Sequence, residues 1–530
     1  MTKLNSEDLL KRAEKARADL SRWLGLLDMA YRYGFPQKDI LSQTPGARRG
    51  IQVYDSTAPD SAIRLANRIC TDMFPPFQEW ADLDAGEAIQ GPNKDAAKKQ
   101  LQSYQRLMFE CFHNSNFDDA INEYAQELTV GTGALAMLKG TVQQPFKFYC
   151  TQITNVAIDE GPFGMVDGKF VCLKGSYRAL KAMFKVEEDA GLVKWPEEFG
   201  KRATDAATAD KETELHDCVY TDWDTMEVCH DVLWKEGKAS IYVRPQVEAT
   251  SPWIVSRWAK NAGEAYGRGP IISCLPTILT TNKVVEYTLK GAAYRIAPIS
   301  TVANDGTNPA TWRLEPGSFL PVERNDGHPN GPSVGKLDFG GDPQLADLVL
   351  QDLRAIIKRG FHDQSLPPDT GPVRSAYEIA QRMKELSADL GGVFGRLHRE
   401  LVHPLVIRAL NLMQQMRMIE FPLVINGTTV KVIPKSPLAK LQNLSKVEAV
   451  VQWLQIVQSM GPEIAMLGIK VEDVPAWIGD QLGVPKELQR TEDERAKMQQ
   501  DIAGIIAQQN QAAQQPQQMP MQQQMPRAAA

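Results

Sequence analysis

Hydrophobic positions recur every three to four residues along most of the chain and switch to alternation in one central block. The spacing predicts a first helix from Asn5 to about Tyr33, with Leu9, Leu10, Ala13, Ala16, Leu20, Trp23 and Leu27 on its apolar side. Asn5 is suited to cap it, Glu7 and Asp8 favour its first turn, and Gly34-Phe35-Pro36 ends it. A second helix opens with Thr57 as N-cap, presents Ala62, Ile63, Ala66, Ile69, Cys70 and Met73, and stops at Pro75-Pro76. A third runs from about Asn93 to Asn114 with Leu101, Tyr104, Leu107, Met108 and Cys111 on one side. A fourth spans Phe117 to Val130 and stops at Gly131-Thr132-Gly133. From Ala134 to about Lys260 the period becomes two, which predicts strands at Lys147–Cys150, Lys169–Leu173, Ser240–Arg244 and Trp253–Arg257. Asp167-Gly168 reads as a turn before the second of these, and a helix near Tyr177–Ala190 interrupts the series.

After Ser273 the order is helix, irregular insert, helix, short proline loop and a long helix. The paired helices are expected at about Pro276–Ile296 and Pro343–Phe361, roughly 20 residues or ~30 Å each at 1.5 Å per residue. The insert between them, Ala297–Gly341, is dense in Gly, Pro, Asn and Asp, which are turn formers. Helices of matched length packed antiparallel would carry this insert at their tip. Such a two-helix stalk cannot bury both its faces, so it needs partners, and copies of the same chain are the simplest source. The long helix opens on the capping box Ser375-x-x-Glu378 and continues to about Glu420, with Gly391-Gly392 and Pro404 predicting kinks. Asn426-Gly427 between β-prone runs predicts a hairpin over Leu423–Ile433. Helices follow from Ser436-Pro437 to Gly461-Pro462, near Val471–Leu482, and from Thr491 to about Gln509. The final stretch, 510–530, is Gln, Met, Pro and Ala and is expected to be disordered. The fold class is α+β, mainly α-helical.

Hydrophobic content of 43% and charged content of 23% are globular values, and 530 residues imply several domains. A net charge of −6 argues against tight binding to nucleic-acid phosphates, although contact with sliding DNA is compatible with it. The seven cysteines show no C-x-x-C and no zinc-finger spacing, so reduced thiols are expected. The N-terminus lacks the apolar core of a signal peptide, and no run of 18 apolar residues predicts a membrane span. There is no G-x-x-x-x-G-K-[ST], H-E-x-x-H or G-x-S-x-G. His398 and His403 are about 140° apart on a helix and cannot share a metal. No cofactor, metal or catalytic residue is expected, and the chain does not read as an enzyme.

Three clusters remain. Trp258–Pro270 contains Gly263, Glu264, Tyr266, Gly267, Arg268, Gly269 and Pro270. It reads as a backbone crossing between strand region and stalk, with glycines at positive φ, rather than as a phosphate cradle. Glu264 and Arg268 are placed to form an ion pair or to anchor a neighbour. In the helix 343–361 the packing side is expected at Leu345, Leu348, Val349, Leu353, Ile356 and Ile357. Asp347 and Asp352 early, with Arg354, Lys358 and Arg359 late, suit the helix dipole. Repeated around a ring, Lys358 and Arg359 would instead form a positive band facing a channel. The loop Asp363–Pro372 is either an ordinary connection or a projection into that channel.

Several stretches together resemble the portal, or head-to-tail connector, of short-tailed bacteriophages. They are Arg22-Trp23 through Pro36-Gln37, Val53–Ala58 with Leu65–Arg68, Phe74-Pro75-Pro76 with Trp80, Gly263–Pro270 with Leu275-Pro276, and Glu378–Arg382 through Pro404-Leu405. Thr277 stands where that family commonly has aspartate. The resemblance implies a ring, usually of twelve subunits, at one capsid vertex, in the virion and in host cytoplasm during assembly. A separate terminase pumps double-stranded DNA through it, and the short tail attaches below and serves ejection. Residues 1–272 would be the wing, 273–296 and 342–361 the stem, 297–341 the clip, and 362–373 the tunnel loop. The long helix and hairpin, 374–436, would return to the wing, and 437–509 would be the crown. Implied partners are further copies of the chain, the terminase large subunit, major capsid protein and scaffold, a tail adaptor or tail tube, internal core proteins, and DNA without sequence specificity. No membrane is implied. Candidate DNA contacts are Lys358, Arg359, Asp363, Gln364, Ser365, Asp369 and Thr370. Candidate clip contacts are Asn304, Asp305, Asn308, Trp312, Glu323 and Arg324. The alternatives are another virion structural protein, such as a scaffold or internal core component, and a soluble enzyme with an unrecognised site.

Overall fold

The computed structural model describes residues 5–38, 53–85, 93–141, 143–236, 239–303, 318–322, 334–336, 343–363, 391–419, 430–435, 437–459 and 474–482. Two compact units are present, divided after Pro437.

The first unit opens with helix α1, Ser6–Gly34. Its expected small apolar positions are buried: Leu9, Ala13 and Ala16 lie on Ala157, Phe170, Cys218, Tyr220, Cys229 and Leu233 of a sheet. Asn5 precedes the helix in extended conformation but makes no side-chain cap. Helix α2 spans Thr57–Met73, so Thr57 is its first residue and not its N-cap. The Thr57 amide is instead satisfied by the Asp55 carboxylate at 2.9 Å. Leu65 is buried on this helix, whereas Ile63 is 41% exposed, contrary to its expected place on the packing side.

Strand β1 (Ala81–Ala85) leads to α3 (Asn93–His113) and α4 (Phe117–Val130), close to their sequence-predicted bounds. Between α2, α3 and α4 lies a cluster of aromatic rings. Trp80 meets Phe74 edge-on at 5.0 Å and Phe109 at 5.2 Å, and Phe117 meets Phe112 and Phe148 at 5.1 Å. Edge-to-face geometry aligns ring edges with ring faces and adds to burial.

The strand region holds two antiparallel sheets. One orders β3 (Phe146–Thr151), β2 (Thr132–Lys139) and β9 (Trp253–Arg257). The other is the meander β4 (Val156–Glu160), β5 (Val166–Ser176), β6 (Glu212–Asp222), β7 (Glu227–Glu236) and β8 (Ala239–Glu248). Asp167 and Gly168 lie inside β5 rather than in a turn. A side chain at Gly168 would meet the Asp159 carboxylate, to which the Gly168 amide donates. That glycine marks close approach within a sheet. The helix expected over 177–190 is two short ones, α5 (Tyr177–Met183) and α6 (Lys185–Asp189), followed by an unanticipated α7 (Glu197–Thr204).

Helix α8 spans Pro270–Ile296, six residues earlier than expected, with Pro276 in its interior. Strands β10 (Ser300–Ala303), β11 (Phe319–Val322) and β12 (Val334–Lys336) then form a small mixed sheet in the insert, where the sequence suggested only irregular structure. Helix α9 is Pro343–Gly360. The insert candidates Asn304, Asp305, Asn308, Trp312, Glu323 and Arg324 lie outside the described residues, as do Gln364, Ser365, Asp369 and Thr370.

The expected long helix is described over 391–419. Helix α10 (391–397) passes through a π-helical turn, His398–Val402, into α11, His403–Gln415. Pro404 occupies the first turn of α11. Lacking an N–H, it is tolerated there, and the widened turn just before it replaces a sharp break. Glu400 in that turn accepts from the Arg257 amide at 3.0 Å and its guanidinium at 2.8 Å, fixing α10 and α11 to β9. Strand β13 (Val430–Pro434) pairs antiparallel with β1, while the Asn426-Gly427 turn lies outside the described residues.

Helix α12 (Pro437–Ser459) lies in the second unit from Leu438 on, as does α13 (Val474–Leu482). Val451, Trp453, Ile456 and Trp477 are each more than a third exposed.

Candidate functional site: the stalk and its anchors

Three elements converge where α8 begins. The turn after α4 meets the segment 267–269 backbone to backbone: Gly269 N–H donates to Val130 O and Trp258 N–H to Gly131 O, at 2.8 and 2.9 Å. Gly267 N–H donates to Thr132 Oγ1 at 2.8 Å. A side chain on Gly267 would collide with the Gly131 carbonyl and lie 2.9 Å from Arg257 Cβ. Close approach, not positive φ, is therefore what this glycine serves. Only Gly263 in the motif has the expected left-handed backbone, with φ +83°.

The Glu264–Arg268 pair forms as expected, with bonds of 2.6 and 2.9 Å. Arg268 also lies over the Trp23 ring at 5.1 Å, and Trp23 packs on Tyr266 at 5.7 Å. Arg268 holds the Glu264 carboxyl below its ordinary range. Tyr266 Oη accepts from Ile158 N–H at 3.1 Å. The motif thus joins α1, β4 and the start of α8. A polar cleft of 710 Å³ lies beside it, lined by Arg12, Asp19 and Trp23 of α1 and by Glu264, Tyr266 and Arg268. Pro270 occupies the first turn of α8, with Gly269 extended before it.

The stalk helices pack on each other. A Cβ on Gly360, at the end of α9, would collide with Cys274 Sγ near the start of α8, so the two run antiparallel. Buried positions on α8 end at Val285. The last 11 residues, about 16 Å of helix, contain no buried position, and Tyr287, Leu289 and Ile296 are 61%, 54% and 86% exposed. On α9, Leu350 and Ile357 are buried, whereas Leu348, Val349 and Ile356 are 67%, 42% and 50% exposed. The expected packing side of α9 is therefore only partly used within the chain. An unequal pair of 27 and 18 residues replaces the matched helices.

A pair of anchors, unforeseen from sequence, holds the stalk. Asn282 Oδ1 on α8 accepts from the Tyr54 amide at 2.6 Å. Arg354 on α9 donates to Asp55 Oδ2 from Nε at 2.9 Å and from Nη2 at 2.7 Å. Residues 53–56 thus strap both helices. Burial would raise the Asp55 pKa, but its hydrogen bonds from Thr57 and then Arg354 outweigh burial and lower it. Arg354 is tied to this role rather than serving only the helix dipole.

The end of α9 is a Schellman closure with His362 left-handed at φ +53°. His362 N–H bonds Arg359 O at 3.0 Å, and Asp363 N–H bonds Lys358 O at 2.8 Å. From α2, Ser61 donates to Asp363 at 3.0 Å and Arg68 to His362 O at 3.1 Å. Arg64 adds an ion pair to Asp363 at 3.6 Å. Asp363 is therefore an attachment point within the chain. Lys358 and Arg359 are exposed one turn earlier.

All seven cysteines lie among the described residues, and none is joined to another by a disulfide. Among the described residues no group of three or more His, Cys, Asp or Glu is placed to hold a metal, and no helix is long and apolar enough to cross a membrane.

Comparison with known proteins places this architecture. The family model described as bacteriophage head to tail connecting protein matches residues 6–489. The portal protein of Enterobacteria phage T3 is 24% identical over 85% of this chain and 83% of its own length. The probable portal protein of Bordetella phage BPP-1 is 23% identical over 91% of this chain and 88% of its own. The match to the Escherichia phage T7 portal protein, 24% identical, spans 64% of this chain and 62% of that protein, less than two thirds of it. A solved structure from the virion of a native gene transfer agent particle covers 85% of this chain and 92% of its own at 11% identity, with a TM-score of 0.36. On the family match, which spans nearly the whole chain, the protein belongs to the bacteriophage head to tail connecting protein family.

Proposed function

We propose that identical copies of the chain stand side by side in a closed ring and that α8 and α9 form its stem. The observation that carries this is the apolar surface left open on one subunit: Tyr287, Leu289 and Ile296 on α8, and Leu348, Val349 and Ile356 on α9. Several large apolar side chains left exposed on two packed helices mark an interaction site, and rotational repetition covers them on every subunit at once. The ring sits at one capsid vertex. Double-stranded DNA passes through its hole during packaging, driven by a separate terminase, and leaves by the same route through the short tail. Twelve subunits is the number the family resemblance supports.

The region assignment follows. Residues 1–272 with 374–436 form the wing, and the insert 297–341 is the clip, which meets terminase and then the tail adaptor. The segment 362–373 is the tunnel loop, and 437–509 is the crown. In the ring, Lys358 and Arg359 repeat as a band of positive charge near the tunnel loop and touch passing phosphates weakly enough to let them slide. A chain of net charge −6 suits a conduit, because strong phosphate binding would brake translocation. The test is assembly of the Leu348→Glu, Ile356→Glu double variant, measured by analytical sedimentation beside the natural chain. The expected result is a folded subunit that no longer forms rings. Rings of normal size from this variant would refute the interface.

A further inference from the structure

One buried ionic cluster has no part in the stalk. His230 on β7 is fully buried, with Nε2 2.7 Å from Asp217 Oδ1 of β6 and Nδ1 3.0 Å from Glu248 Oε1 of β8. Glu248 also accepts from Arg244 Nη2 at 2.7 Å and pairs with Arg408 of α11. Arg244 reaches Glu187 of α6 at 3.2 Å. Trp253 of β9 donates to the second oxygen of Asp217 at 2.7 Å. Arg408 further donates to Thr250 O at 2.9 Å and Met137 O at 3.3 Å. Asp231, next to His230, is bonded instead by Tyr220 at 3.2 Å. With Asp217, Glu248 and Glu187 all ionised, three carboxylates face three cations (Arg244, Arg408 and the His230 imidazolium), and in that state the cluster is neutral only while His230 holds its proton. Arg408 brings the long helix into it.

The geometry contains a second hydrogen-bond arrangement. Arg244 Nη1 lies directly against His230 Nδ1. With the imidazole charged, Nδ1–H donates to Glu248. With it neutral, Nδ1 accepts from Arg244, and Glu248 loses a donor in a cluster now one charge negative. A buried unbalanced charge is costly, and water relieves it most easily where the packing can open. Strands β6, β7 and β8 are held by their ladder, whereas α11 is attached here through Arg408. We propose that these six side chains form a proton-operated latch, which binds the long helix to the sheet when His230 is protonated and loosens it when that proton leaves.

Burial alone would lower the His230 pKa, and Arg244 lowers it too. Asp217, joined by Glu248, outweighs both and raises it above the ordinary value. A raised folded-state pKa gives stability that is complete below about pH 6.5 and is lost as pH climbs through the folded value. The latch therefore opens on the alkaline side. Between the ordinary value near 6.5 and the raised folded value the opening constant rises up to about tenfold per pH unit, and it levels off above the folded value.

The test is amide hydrogen exchange of the full-length protein at pH 7 and pH 9, corrected for intrinsic base catalysis. The expected result is that amides of Leu405–Met413 exchange at least about threefold faster at pH 9 after correction, while those of Ile121–Leu128 in α4 do not change. His230→Gln should show fast α11 exchange at both pH values and no further pH response. Equal corrected α11 rates in the natural chain at the two pH values would overturn the proposal. So would a His230→Gln protein that keeps the natural pH response. If that variant does not fold, the natural chain decides alone.

Discussion

Replacing Asp55 by asparagine tests whether the strap at 53–56 holds the stalk. The change keeps an acceptor for the Thr57 amide but removes the charge that Arg354 grips through two bonds of 2.7 and 2.9 Å. Hydrogen bonds to a charged group contribute about 1.5–3 kcal/mol when shielded. Asp55 is nearly buried, but the Arg354 side chain is 41% exposed, so solvent screening lowers the expected loss to about 1–2 kcal/mol. The assay is the local opening free energy of α9 amides, read by native-state hydrogen exchange. It is measured in a cycle of Asp55→Asn, Arg354→Met and the double variant, where a coupling of about 1 kcal/mol is expected. The pH dependence gives a second reading. A carboxyl with a lowered folded pKa contributes stability above the unfolded value near 3.9, and that stability is lost as pH falls through the folded value. The difference between natural chain and Asp55→Asn should therefore persist at pH 5 and vanish in stronger acid. A coupling below about 0.3 kcal/mol, or a difference that disappears already at pH 5, would refute the anchor.

Other substitutions test neighbouring parts of the account. Gly267→Ala should cost about 1–3 kcal/mol in thermal or urea unfolding, because its Cβ meets backbone at Gly131; an unchanged melting curve would contradict the crossing geometry. Trp80→Ala, which empties the centre of the aromatic cluster, should cost about 3–5 kcal/mol in the same assay. Lys358→Ala with Arg359→Ala should leave rings intact and alter DNA packaging, and loss of rings would reverse that assignment. Deleting Gln364–Thr370 should likewise spare assembly but impair DNA packaging or retention; failure to assemble would make the loop structural.

Much of the helical framework was legible because its burial follows sequence period. The faces of α1 and α4 pack one side on a core, so Leu9, Ala13, Ala16 and Leu20 announce themselves. Strands β6 and β7 did not, since their buried positions include Asp217, His230 and Asp231. Charges that pair across a sheet erase the apolar alternation by which strands are recognised. Pro276 suggests a helix start, but Ile271, Ile272 and Leu275 gain burial by extending α8 before it. On α9 the pattern showed which residues seek burial without showing what covers them, and Leu348, Val349 and Ile356 remain open in the single chain. In the motif 263–270 the four-residue spacing of Glu264 and Arg268 announces their ion pair, whereas of its glycines only Gly263 takes the left-handed backbone that the sequence suggests. Its partner at Gly131 was visible only as a helix stop, because contact between distant backbones leaves no periodic trace. The strap through Asp55, Asn282 and Arg354 joins residues up to 299 positions apart and was likewise invisible.

The central claim is that the stalk helices are completed by identical neighbours around a hole. Electron microscopy of the purified full-length chain, with rotational averaging, tests it most directly. The account predicts annular particles in which α8 and α9 of adjacent subunits cover one another's Leu348, Ile356 and Tyr287. Particles that remain single subunits under all conditions, or rings whose stalk helices touch no neighbour, would contradict it.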